Sequence, residues 1–153
     1  MIKLFFALVF LSTSVFAVNY ETQTSKFVIS DRAENGNRVY YNCDSVESKV
    51  TSILEEMGAI VQSVRCTGGI DRFGQFHMPA RVVAIYESLN SEIAGNVSSA
   101  ISDVKIREHG NCHLNNSIFK NIKENFEITA LKQSRCISAS SRTLIKMKLL
   151  KAN

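Results

Sequence analysis

The sequence predicts an α+β domain assembled from two tandem β-α-β-β units, and three observations carry that expectation. One cysteine motif occurs twice, as Asn42-Cys43 to Val64-Arg65-Cys66 and as Asn111-Cys112 to Ser134-Arg135-Cys136, and it uses all 4 cysteines. Between the cysteines of each copy lies an apolar stripe at helical spacing, then a run suited to a returning strand. A shift of 69 places Cys43 on Cys112, Val50 on Phe119, Ile53 on Ile122 and Met57 on Phe126. One inserted residue then restores phase at the second cysteine.

The elements follow in order. Residues 18–25 are polar and read as a frayed end. Lys26–Ser30 is a strand candidate. Glu34-Asn35-Gly36-Asn37 is a turn, because Asn-Gly tolerates positive φ. Arg38–Asn42 reads as the strand after it, which would make a hairpin. Asp44 or Ser45 can cap the next helix, with Glu47 in its first turn. Val46, Val50, Ile53, Leu54 and Met57 form its buried stripe, and Gly58 ends it. Ala59–Cys66 is the returning strand. Thr67–Pro79, rich in glycine and holding the single proline, reads as a loop or splayed hairpin. Arg81–Leu89 is a strand by its branched and aromatic content.

Ile93, Val97, Ala100 and Ile101 suggest a short linking helix over 90–102. Val104–Glu108 is the strand that opens the second copy. Leu114, Ile118, Phe119, Ile122 and Phe126 stripe its helix, and Ile128–Cys136 returns. Arg142–Leu149 closes the copy. There Ile145, Met147 and Leu149 alternate with Lys146 and Lys148, so one side faces the core and the other faces water. The expected assembly is one antiparallel sheet with both helices packed on one face, which would bury the two stripes together. It resembles the ferredoxin-like class of folds, and that resemblance implies no function.

The chain opens as an export signal does. Lys3 supplies the positive start, Leu4–Leu11 the apolar run, and Val15-Phe16-Ala17 a cleavage site after Ala17. The apolar run falls short of the about 20 residues that span a bilayer, and no later segment is long and apolar enough to span one. The expected organisation is a signal peptide over 1–17 and a single domain over 18–153, with repeats at about 26–89 and 104–151. With Lys3 removed, 17 basic side chains face 14 acidic ones, a net charge of +3. Spread over a whole domain, that balance does not point to nucleic acid.

Four cysteines in an exported chain read as two disulfides, in any of three pairings. Geometry favours Cys43–Cys66 and Cys112–Cys136. A helix of about 14 residues rises roughly 20 Å and a strand of about 7 residues returns roughly 23 Å, which brings each pair to the same end. The expected location is periplasmic or extracellular.

The copies differ most after the second cysteine, where 14 residues separate Cys66 from Arg81 and only 5 separate Cys136 from Arg142. The enlarged segment 67–80 carries Arg72, Phe73, Phe76 and His77, types favoured at binding hot spots. These are the candidate binding residues. The alternative is that Phe73 and Phe76 fold back onto the core.

A second candidate is a metal or catalytic site using His77, His109 or His113. His109 and His113 are four apart, a helical ligand spacing, but Gly110 and Asn111 interrupt the helix and an oxidised Cys112 is no ligand. His77-Met78 could serve copper. Gly68-Gly69 could present amides to an anion. Cys-x-x-Cys and Gly-x-Ser-x-Gly motifs are absent, Glu55-Glu56 fit a solvated helix face, and Lys146, Lys148 and Lys151 suit a guarded edge strand. Asn96 and Asn115 begin triplets of the glycosylation type.

The expectation is therefore a non-catalytic binding or interaction module with no cofactor and no bound metal. Its partner is a protein or an envelope component, and it presents the loop 67–80. The alternative is a small extracytoplasmic enzyme or metal-handling protein built on the histidines.

Overall fold

The structure, a computed structural model, describes residues 20–32, 36, 38–71, 73–89, 99–108, 111–136 and 143–152. The elements are β1 (Tyr20–Val28), α1 (Cys43–Glu56), β2 (Ile60–Ile70), β3 (Phe76–Leu89), β4 (Ser99–Glu108), α2 (Cys112–Ile122), a 3-10 turn (Lys123–Asn125), β5 (Ile128–Gln133) and β6 (Thr143–Ala152). The predicted signal peptide lies outside the described residues.

Two three-stranded antiparallel sheets form, in the orders β1-β3-β2 and β4-β6-β5. In each, the strand that comes third in sequence lies between the first two and pairs antiparallel with both. The outer strands are therefore parallel, and a helix joins them across the intervening strand. The single sheet expected from the sequence is corrected to two. The reason lies in the pairing: each closing strand spends both hydrogen-bonding edges inside its own half.

One core joins the halves. The expected stripe of α1 is at most 1 % exposed, and Leu114, Ile118, Phe119 and Ile122 of α2 are fully buried. Beneath them lie Val82, Ala84 and Tyr86 of β3 and Ile145, Met147 and Leu149 of β6. Helix α1 touches α2 and β4 as well as its own sheet. Lys146 and Lys148 point outward, as their alternation with the core residues requires.

Both disulfides are the expected ones. Cys43 joins Cys66 with Cα atoms 5.3 Å apart, and Cys112 joins Cys136 at 5.7 Å. Each ties the first turn of a helix to the chain returning from it, Cys66 within β2 and Cys136 just beyond β5, so each half is closed on itself.

Several boundaries differ from expectation. Residues 20–25 are not frayed but pair in register with β3. The 38–42 strand is absent; an isolated bridge joins Arg32 to Arg38, and Asn42 bridges Ile70. The cap of α1 is Asn42, whose Oδ1 accepts from the Asp44 amide at 2.8 Å. Residues 99–102, expected in a helix, begin β4, while 90–98 lie outside the described residues. Helix α1 does end at Gly58, where φ is +86°.

Candidate functional site

The segment 67–80 is a hairpin, not an open loop. Strand β2 continues through Gly68 and Gly69 to Ile70, and β3 starts at Phe76. Its base is locked to the chain before α1, where the Ile70 amide donates to the Tyr41 carbonyl at 3.0 Å. Gly69 allows this approach. It has φ +72°, and a Cβ there would run into the Tyr41 carbonyl oxygen.

The tip is a tight, hydrogen-bonded turn. Asp71 Oδ1 accepts from the amides of Phe73 at 2.8 Å and Gln75 at 2.9 Å. The Gly74 amide donates to the Asp71 carbonyl and the Asp71 amide to the Gln75 carbonyl. Asp at the first position and Gly at the fourth, at φ +80°, are what such a turn selects.

This turn holds apolar side chains out in solvent. Phe73 is 80 % exposed, Met78 45 %, Phe76 42 % and Tyr40 36 %. The Tyr40 and Phe76 rings meet with centroids 4.4 Å apart at 41°. A hydrogen bond with the Tyr40 side chain, followed by the nearby Tyr40 and Asp31 charges, holds the Arg38 guanidinium above its usual range. Phe73 and Phe76 therefore do not fold back onto the core. The cavity beside the tip, about 590 Å³, runs between Phe73 and Asp71 on one side and the Asn42–Asp44 start of α1 on the other.

Of the remaining sequence candidates, Arg72 and His109 lie outside the described residues, and His77 is placed only as backbone of β3. His113 sits in the first turn of α2, next to the disulfide-bonded Cys112. Among the described residues no three His, Cys, Asp or Glu side chains gather as a metal site would need. Asn115 is fully buried and its Nδ2 donates to Thr143 Oγ1 at 3.1 Å, a place where no glycan could be attached in the folded chain.

Two contributors escaped the sequence reading. Tyr40 was placed in a strand, and nothing local marks its contact with Phe76 across 36 positions of chain. Asp71 was legible in principle from Asp-Arg-Phe-Gly, a turn signature. No family model matches the chain, and neither a curated protein nor a solved structure is similar to it at a significant level.

Proposed function

We propose that this is an exported, non-catalytic binding protein that docks a protein or envelope partner through the tip of the β2–β3 hairpin. The supporting observation is the rigid turn that keeps Phe73 80 % exposed beside Tyr40, Phe76 and Met78. Aromatic and Met side chains are enriched in interface cores. A tip already ordered by its own hydrogen bonds loses little further freedom on binding.

On this reading residues 1–17 are a cleaved signal, and the mature chain is one domain working in an oxidising compartment. The two disulfides are consistent with that setting. The two halves descend from one copied β-α-β-β unit. The shared strand order and the matched cysteines support the duplication, and the second copy has only 5 residues between Cys136 and Arg142 where the first has 14 between Cys66 and Arg81. Function then belongs to the part that diverged, carried on the part that did not.

The test is the double variant Phe73→Ala/Phe76→Ala. Phe73 is exposed and contributes within about 0.5 kcal/mol, and losing the Tyr40–Phe76 ring contact costs about 0.5–1.5 kcal/mol, so the melting temperature should fall by only a few degrees. Docking aromatics cost about 2 kcal/mol or more when truncated, so recovery of the partner complex should fall at least tenfold. A folded variant with unchanged complex would refute the proposal.

A further inference from the structure

A second site lies away from the hairpin, in the cleft between the halves. The segment after β1, one face of α2, the 3-10 turn and the end of β5 with the chain following it flank an open cleft of about 490 Å³. That volume is typical of a small-molecule site. Four permanent cations line it: Arg32 from the first half, and Lys120, Lys123 and Arg135 from the second. Among the described residues no Asp or Glu lines it. Among the described residues none of the four has a carboxylate within ion-pairing distance. Asp31, next to Arg32 in sequence, acts on Arg38 instead.

Surface cations are ordinarily interspersed with carboxylates. Four lining one cleft from four separate segments give it a positive potential, which favours an anion seated among them. Two are guanidinium groups, the side chain suited to bidentate recognition of phosphate, sulfate or carboxylate oxygens.

Asn116, one of the residues lining the cleft, holds an acceptor without a donor. Asn116 Nδ2 donates to Cys136 Sγ at 2.9 Å, which fixes the amide. Its Oδ1 is buried with no hydrogen-bond partner. A buried acceptor left unsatisfied costs about 1–3 kcal/mol, and an anion without a hydroxyl, such as a methyl phosphate dianion, offers it nothing. A ligand hydroxyl would satisfy it. Hydroxyl groups of Ser117 and Ser134 and the buried Tyr41 line the same space.

We propose that this cleft binds a hydroxylated anion of monosaccharide size, such as a sugar phosphate or a uronic acid. The anionic group lies among Arg32, Lys120, Lys123 and Arg135, and a ring hydroxyl donates to Asn116 Oδ1. This site requires neither the hairpin nor its partner, so the two readings stand or fall separately.

Calorimetric titration of the full mature protein tests it with four probes: glucose 6-phosphate, glucuronate, the methyl phosphate dianion and glucose. Binding by the two acidic sugars is expected, weaker binding by methyl phosphate, and none by glucose. Whichever acidic sugar binds more tightly names the anionic group. Affinity should fall at least tenfold in Arg135→Glu and in Lys120→Glu, and stay unchanged in Lys146→Glu on the far sheet face. Asn116→Ala should narrow the preference for glucose 6-phosphate over methyl phosphate. All three charge-reversed residues are exposed, and circular dichroism confirms that each variant is folded. No binding by either acidic sugar at millimolar concentration would overturn the proposal. Equal affinity in wild type and Arg135→Glu would overturn it as well.

Discussion

Replacing Asn125 with alanine should destabilise the protein by about 2 kcal/mol, because that amide ties the two halves together. Its Nδ2 donates to Ser25 Oγ at 2.8 Å and to Tyr86 Oη at 2.7 Å, and those two hydroxyls meet each other at 3.0 Å. Tyr86 is fully enclosed, Ser25 is 6 % exposed and Asn125 is half-buried. Phe126, the next residue, stacks on Tyr86 with centroids 5.9 Å apart. Asn125→Ala removes two sides of the triangle and leaves the hydroxyl pair. Tyr86→Phe also removes two sides and leaves the Ser25–Asn125 bond. Taking about 1 kcal/mol per bond, each single variant loses roughly 2 kcal/mol and the double variant roughly 3. The shared bond thus appears as a coupling of about 1 kcal/mol. Urea unfolding followed by circular dichroism reads all four proteins, and each single variant should melt roughly 8 °C lower. Additivity within about 0.3 kcal/mol, or a loss below about 0.5 kcal/mol in Asn125→Ala, would refute the reasoning.

Three other outcomes are expected. Each disulfide closes a loop with a sequence separation of 23 or 24 residues, so Cys112→Ala/Cys136→Ala and Cys43→Ala/Cys66→Ala should each lower the unfolding free energy by about 3.5 kcal/mol. Gly69→Ala should cost about 3 kcal/mol through strain and overlap with Tyr41, whereas Gly74→Ala, also at positive φ but in open space, should cost only about 1; equal melting temperatures would contradict this. Burial pushes the Tyr41 hydroxyl above its ordinary 10.0. The folded state then keeps a proton that the unfolded chain releases, so stability falls as pH rises above about 10, and Tyr41→Phe should flatten that fall in urea titrations.

Much of the scaffold was legible locally. Val46, Val50, Ile53, Leu54 and Met57 are buried because a helical period needs only neighbours in sequence to declare itself. The disulfides followed from element lengths alone. What escaped was set by distant chain. Glu21, Thr22 and Thr24 are exposed on an edge strand and look like a frayed end, yet their backbones pair with β3. Division into two sheets depended on which edges the closing strands occupy, and binary pattern does not specify that.

The candidate site divides in the same way. Phe73 and Phe76 stood out by composition, and the Asp71–Gly74 turn could have been read from its residue types. Tyr40 became part of the patch only through tertiary contact. The cationic cleft had no sequence signature, because Arg32 and Arg135 lie about 100 residues apart and meet only across the two halves.

The most direct measurement of the central claim is photo-crosslinking in the intact exporting cell, with a crosslinking amino acid at position 73 and, as a control, at position 60. Ile60 is also half exposed but lies away from the tip, at the start of β2. The account predicts one discrete adduct from position 73 and none from position 60. No adduct from 73, or the same products from both positions, would contradict it.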